Sequence, residues 1–335
     1  MKVAVNGYGT IGRRVAEAIR LQRDMTLVGV TKATPDYKAH LAIANGISIY
    51  ALDERGVEKF SQAGIEVSGN LEDLVKKADV IVDCTPGDVG RTYLHRYKGR
   101  KAIFQGGEAA DVAETSFVAQ CNFNNSIGKE RVRVVSCNTT SICRVLHSLD
   151  MNFGVRRARA VIARRAADPE EVGRGLIDAV VLDPVDIPSH HAADVKTVLP
   201  NIDIVTMAMK IPTTHMHVHS LMVSLKKPAT TLQVLDTLEA TPRMMLAGKS
   251  EGFKSTANIV EYAREMGRRR ADIYESVIWR DSVKADGDEV YLYMAVHQEA
   301  IVVPENIDAI RAVMGASSAE ESIRETNRTL GIKDV

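Results

Sequence analysis

Apolar positions along the first part of the chain follow two alternating patterns. "VAV" at 3–5 is a short apolar run, and "IGRRVAEAIR" after it places Ile11, Val15, Ala18 and Ile19 on one helical face. "TLVGVT", "DVIVDC" (79–84), "AIFQGG" (102–107) and "RVRVVSC" (131–137) read as further strands, with helix-like stretches between several of them. Strands alternating with helices predict a parallel, doubly wound α/β sheet.

After Cys137 the texture changes. "RRARAVIARR", "IDIVTMAMKIP", "HMHVHSLMVSLK" and the pair within "YESVIWRDSVKADGDEVYLYMAVHQE" read as long strands, the last two flanking a hairpin signal at Asp286-Gly287. Helices such as "STANIVEYAREMG" interrupt them, which predicts an α+β region with a mostly antiparallel sheet. "PENIDAIRAVMG" and "AEESIRETNRTLG" read as two closing helices. "RRR" at 268–270 stands alone and reads as a solvated helix end.

At 335 residues the chain exceeds the size at which one core keeps growing, so two domains are expected. Lys plus Arg equals Asp plus Glu, 43 each, which argues against a nucleic-acid or membrane partner. No apolar run approaches membrane-spanning length, and "MKVAVNGYG" has no signal-peptide core, so a cytoplasmic protein is expected. The four cysteines (Cys84, Cys121, Cys137, Cys143) lack metal-ligand spacing, and a reducing compartment predicts free thiols.

"VAVNGYGTIGRR" contains Gly7-x-Gly9-x-x-Gly12 after a strand and at the start of a helix, the context that gives this spacing meaning. Such glycines permit a tight turn and let a pyrophosphate approach backbone N–H groups, so Gly7, Gly9, Thr10, Ile11 and Gly12 are candidate contacts of a dinucleotide in a Rossmann-type domain. Sites that prefer NAD carry a carboxylate ~20 residues on. Here the second strand runs into Lys32, whose ammonium would attract a 2′-phosphate, so NADP is expected to be preferred and NAD accepted. Asp36 remains close enough in sequence to reach a ribose.

Cys137 closes a β-branched run and precedes Asn138, Thr139 and Thr140. A thiol at a helix N-terminus has its thiolate stabilised and its pKa lowered from about 8.5. The same N–H groups can hold an oxyanion when sulfur adds to a carbonyl. Ser136, Asn138, Thr139 and Thr140 offer donors suited to phosphate. Cys84 and Cys121 read as packing residues, and Cys143 as a helix residue turned partly away from the corner. A thiol nucleophile needs a base. His215, His217 and His219 fall on one face of a strand by its two-residue period. Three such histidines also suggest a metal, but no fourth ligand is near in sequence, so no metal is expected.

With these residues the chain resembles the archaeal-type glyceraldehyde-3-phosphate dehydrogenases over nearly its full length. The resemblance runs through "VNGYGTIGRRVA", "VDCTPG", "AIFQGGE", "RVVSCNTT", "RRAADP", "IPSHH", "IPTTHMHVHS", "AVHQE" and "VPENIDAIRA". It implies a dinucleotide domain over 1–138 completed by helices in 301–335, and a catalytic and tetramer-forming domain over 139–300. It implies Cys137 as nucleophile and His217 as base. Gly9, Thr10, Gly107, Arg165 and Gln298 match cofactor contacts, and Ser136, Asn138, His190 and His191 match substrate and phosphate positions. The implied reaction is NAD(P)-dependent oxidation of glyceraldehyde 3-phosphate, with inorganic phosphate releasing an acyl phosphate from a cysteine thioester. Two positions depart from the pattern: His215 replaces a usual aliphatic residue and Ala300 a frequent serine. The rival readings are an enzyme like aspartate-semialdehyde dehydrogenase and a silent nucleotide-binding sensor.

Overall fold

A computed structural model describes residues 1–105, 107–167 and 175–333. Asp168 and Pro169 of the "RRAADP" match, Gly106 of "AIFQGG" and the last two residues of the C-terminal segment lie outside the described residues. The chain divides into two units at Ser136/Cys137 and again at Val302/Val303.

The first unit begins with β1 (Lys2–Asn6), α1 (Gly12–Arg20), β2 (Thr26–Thr31), α2 (Tyr37–Ala44), β3 (Ile49–Tyr50), α3 (Glu54–Gln62) and α4 (Leu71–Lys77). It continues with β4 (Val80–Asp83), β5 (Lys101–Gln105), β6 (Thr115–Phe117), α5 (Ala119–Asn122) and β7 (Arg131–Val134). The strands pair in parallel, in the order β3-β2-β1-β4-β5-β7-β6. All four residues of β4, "VIVD", are buried, the near-continuous burial of a strand covered on both faces. Ala4, Ile81 and Phe104 pack with Leu71 and Leu74 of α4. That helix starts cleanly because Asn70 and Asp73 form a capping box. Strand order reverses between β1 and β4, and in open α/β sheets ligands bind beyond the carboxyl ends at such a point.

The second unit runs α6 (Cys137–Phe153), β8 (Val155–Arg165), β9 (Val181–Leu182), α7 (His190–Lys196), β10 (Ile204–Ile211), β11 (His217–Leu225) and α8 (Thr231–Glu239). It closes with β12 (Met244–Ala247), α9 (Thr256–Glu265), β13 (Ser276–Trp279), β14 (Lys284–Asp286) and β15 (Glu289–Val296). The sheet order is β12-β13-β15-β11-β8-β10-β9, with β14 on β15. The central β11 pairs antiparallel with both β8 and β15, whereas β8–β10 and β12–β13 are parallel. The sheet is therefore mixed, with antiparallel pairing predominant.

The chain then returns to the first unit as α10 (Val303–Met314) and α11 (Ala319–Leu330), and α10 packs on α1, β5 and β7. Buried Arg311 of α10 donates to both carboxylate oxygens of Asp24, at 2.8 and 2.9 Å, and at 2.7 Å to Thr326 of α11. Among the described residues no helix is long and apolar enough to cross a membrane.

Three boundaries and one surface assignment differ from the sequence expectation. β7 ends at Val134, and Cys137 is already the first residue of α6. β11 begins at His217, because Met216 takes a left-handed φ of 64° that breaks the two-residue alternation. The hairpin turn is centred on Gly287-Asp288, since Asp286 still pairs with Glu289. Arg268 is not a solvated helix end: its guanidinium makes two hydrogen bonds to Glu275, at 2.6 and 2.5 Å, with both side chains mostly buried.

Candidate active site

In the first unit the glycine turn joins β1 to α1. Gly7 has φ 97°, and a Cβ there would lie 2.9 Å from the carbonyl oxygen of Cys84. A Cβ on Gly12 would lie 1.8 Å from the carbonyl oxygen of Gly7, a contact that no side chain survives. At Gly9 a Cβ would meet nothing within 4 Å, so that glycine faces open space. Thr10 and Ile11 complete the turn, and exposed Gly107, φ 91°, follows β5. A turn held this way at the start of a helix, at the sheet's switch point, fits a nucleotide pyrophosphate.

The turn rests on a buried polar network that sequence reasoning missed. Gly7 N–H donates to Thr31 Oγ1 at 2.8 Å, and Thr31 Oγ1 donates to Asn6 Oδ1 at 2.5 Å. Asn6 Nδ2 donates to Tyr97 Oη at 2.5 Å, which donates to Asp83 Oδ2 at 2.5 Å. Apart from Gly7 none of these residues belongs to the glycine spacing, which is why that spacing does not reveal them.

Lys32 is already engaged. Its Nζ lies 2.8 Å from Asp36 Oδ2 and 3.2 Å from Thr34 Oγ1. Asp36 also caps α2, accepting from Lys38 N and Ala39 N. Burial acts to raise the Asp36 pKa, but Lys32 and these N–H groups outweigh it and hold the carboxyl below its usual range. Asp36 is thus occupied by Lys32 and by a helix terminus.

In the second unit Cys137 opens α6 and is 9 % exposed. The thiol pKa is not lowered, as the helix terminus alone predicts. Burial foremost pushes it up to about 11, against the pull of Arg164, Arg165 and the Asn138 N–H, while Glu299 adds to the rise. Desolvation of the thiolate outweighs the helix terminus. Cys143 is fully buried, and Cys84 and Cys121 are half-buried. Ser136, half-buried, immediately precedes the helix.

His217 and His219 are buried on one face of β11, whereas His215 is exposed before the break at Met216. The three histidines therefore do not share one strand face. The Arg165 N–H donates to His217 Nδ1 at 2.9 Å. Burial foremost, then His219 and the two arginines, holds the His217 ring neutral, so its proton sits on Nε2. Arg165 and Gln298 meet, with Arg165 Nε donating to Gln298 Oε1 at 2.7 Å. Glu299, which sequence reasoning did not single out, takes the Arg165 Nη1 at 2.6 Å in a buried ion pair.

The residues matched to substrate divide into two kinds. His190 is exposed, and its ring lies against His191 with centroids 3.9 Å apart. His191 and Asn138 are buried and bonded to each other, Asn138 Nδ2 to His191 Nε2 at 3.2 Å. Asn138 Oδ1 meets His219 Nε2 at 2.8 Å. Thr139 donates its hydroxyl proton to Asp194 Oδ2 at 2.6 Å. Among the described residues no group of three or more His, Cys, Asp or Glu is placed to hold a metal ion.

A doubly wound nucleotide sheet, followed by a second unit that opens on a buried cysteine and buries two histidines on one strand, fits a nicotinamide-dependent oxidoreductase. Residues 136–281 match the family described as glyceraldehyde 3-phosphate dehydrogenase, C-terminal domain, and residues 1–103 match dihydrodipicolinate reductase, N-terminus. A glyceraldehyde-3-phosphate dehydrogenase of Hyperthermus butylicus is 56% identical, across 99% of this chain and 97% of its own. Those of Archaeoglobus fulgidus and Metallosphaera sedula are 52% and 54% identical, over 100% and 99% of this chain and 99% and 98% of theirs. The chain belongs to the archaeal-type glyceraldehyde-3-phosphate dehydrogenase family.

Proposed function

We propose that the protein catalyses the phosphorylating, NAD(P)-dependent oxidation of glyceraldehyde 3-phosphate to 1,3-bisphosphoglycerate through a thioester on Cys137. The observation that carries this reading is the buried Cys137 at the first position of α6, in a unit whose β11 presents buried His217 and His219. Cys137 sulfur, as thiolate, adds to the aldehyde carbon, and the alkoxide formed takes up a proton equivalent to the one the thiol lost, giving a thiohemiacetal. Gly7, Gly9, Thr10, Ile11, Gly12 and Gly107 would hold a nicotinamide nucleotide, which would supply the hydride acceptor, and Arg165 and Gln298 keep the cofactor-contact roles that the resemblance implies. Loss of hydride from the former aldehyde carbon leaves a thioester. Inorganic phosphate attacks it, the acyl phosphate departs, and Cys137 returns as thiolate.

His217 acts at the substrate oxygen. With Nδ1 accepting from Arg165, the resting ring offers Nε2–H and donates to the oxygen as sulfur adds. Taking the hydroxyl proton at hydride transfer needs a bare Nε2, and so the tautomer in which the Arg165 bond has opened. His190 and Ser136 are assigned to the substrate anions.

NADP is the preferred cofactor through Lys32, once a 2′-phosphate competes with Asp36. The enzyme is cytoplasmic and works as a homotetramer. Ile177, Val180, Leu182, Val185 and Ile187 are each more than half exposed within a short segment, an apolar surface suited to cover by a second copy.

The test is turnover of glyceraldehyde 3-phosphate and of aspartate semialdehyde with each nucleotide, with and without phosphate. Phosphate-dependent acyl phosphate formation from the first aldehyde is expected. Preference for the semialdehyde, or no turnover of either, overturns the proposal.

A further inference from the structure

Around Asn138, the residue that follows Cys137, five buried polar side chains form one hydrogen-bond chain whose proton positions can be worked out from one end. Thr206 Oγ1 donates to the Ser189 carbonyl oxygen at 3.1 Å, because a carbonyl can only accept. A threonine has one hydroxyl proton, so Thr206 Oγ1 must accept from Ser189 Oγ, 2.7 Å away. Ser189 Oγ therefore accepts from His191 Nδ1–H at 3.1 Å. His191 Nε2, bare, accepts from Asn138 Nδ2 at 3.2 Å, which turns Asn138 Oδ1 to His219 Nε2–H at 2.8 Å. Ser189, Thr206, His191, Asn138 and His219 are each at most 2 % exposed. Burial foremost pushes His191 down to about 2 and His219 to about 3, in keeping with two neutral rings.

Two consequences follow for the site. Both ring nitrogens of His191 are bonded inside the protein, so it has no donor for a substrate anion, whereas its exposed neighbour His190 stands over it. The Asn138 amide is gripped from both sides, and one of its two N–H bonds is left over, on the residue that follows Cys137 in the chain.

We propose that His219 and His191 are positioning residues, single-tautomer imidazoles that clamp the Asn138 amide so that its remaining N–H serves the oxygen of the Cys137 adduct, and that His190 alone of the histidine pair takes the substrate anion. This rests on Cys137 being the nucleophile. In the step concerned the Cys137 S–C bond forms as the carbonyl π pair moves onto oxygen, and that oxygen accepts the Asn138 N–H.

The experiment pairs nitrogen-15 spectra of histidine-labelled resting protein at pH 7 with steady-state kinetics of four variants. The spectra should show His219 protonated at Nε2 and His191 at Nδ1; the opposite tautomers overturn the clamp. His219→Leu and His191→Leu should lower kcat on the order of 10-fold to 100-fold, below the 10²–10³ of deleting an oxyanion donor outright, with KM for the phosphorylated aldehyde little changed. His219→Gln, which keeps an N–H, should recover most of kcat even if the leucine variant folds poorly. His190→Ala should raise KM with kcat nearly kept. A large KM rise with unchanged kcat in His191→Leu makes His191 a ligand and overturns the division of roles. Full turnover by Cys137→Ser overturns the nucleophile reading and the oxygen-holding role with it, while the tautomers stand or fall on the spectra.

Discussion

The backbone N–H of Arg165, at the end of β8, donates to His217 Nδ1, at the start of β11, across 2.9 Å. A main-chain N–H cannot reverse its role, so this contact decides which nitrogen of a neutral His217 holds the proton. It makes the family's expected base a donor in the resting protein and couples proton acceptance to opening of one hydrogen bond.

His217→Asn and His217→Ala separate the two roles. Both should slow single-turnover hydride transfer by ~10²–10⁴, the usual worth of a positioned base. His217→Asn should still bind the aldehyde as a Cys137 adduct better than His217→Ala, because an amide N–H can hold the oxygen. Rapid hydride transfer by His217→Asn would remove the base, and equal adduct formation in the two would remove the donor.

Cys137→Ser should abolish acyl phosphate formation while leaving dinucleotide binding near normal, and Cys143→Ser should stay active. Because burial raises the Cys137 thiol to about 11, its alkylation by neutral iodoacetamide in the protein without nucleotide should climb with pH through 8, 9 and 10. A plateau below pH 8 would show that the thiol is already ionised there.

Asp36→Asn leaves the Lys32 ammonium without its carboxylate partner and should lower KM for NADP more than for NAD. Lys32→Asp should raise KM for NADP far more than for NAD, because repulsion of the 2′-phosphate replaces attraction. Equal shifts for both nucleotides would confine Lys32 and Asp36 to supporting the start of α2.

Acid should destabilise the fold through its buried histidines. His191 and His219 have folded pKa values pushed below the ordinary 6.5, to about 2 and about 3, by burial foremost. The unfolded chain then binds protons that the folded one refuses. Their contribution is present above about 6.5 and is lost as pH falls toward the folded values. Each ring contributes a slope of ~1.4 kcal/mol per pH unit inside that window. Denaturant titrations from pH 7 to 4 should show the fall, and His219→Gln should flatten it; an unchanged slope would place the acid sensitivity elsewhere.

Local sequence was enough for whatever depends on neighbours along the chain. The alternating strand and helix runs from "VAV" to "RVRVV" specify a parallel nucleotide sheet, because strands covered on both faces read as largely apolar runs. Gly7 and Gly12 are legible for a similar reason: the backbone crowding that demands glycine there arises at a turn whose spacing is itself local. A helix just after Cys137 could be read because small polar residues follow it directly, although the pattern carries the strand up to Cys137 and β7 ends at Val134. The outcome at long range was not readable, since it depends on pairs far apart in the chain. His219 meets Asn138 across 81 positions, Arg165 meets Glu299 across 134, and Gly7 rests on Thr31 and, through Asn6, on Tyr97. The thiol pKa follows the same division: the helix terminus, visible in sequence, lowers it, and burial, which only tertiary packing sets, raises it further. His215 shows the converse, since a perfect two-residue pattern continued through it until the left-handed Met216 ended the strand's alternation. Sequence periodicity describes what a strand would bury if it ran on; the packed fold decides where it stops, because a side chain's partners and dielectric come from the elements around it.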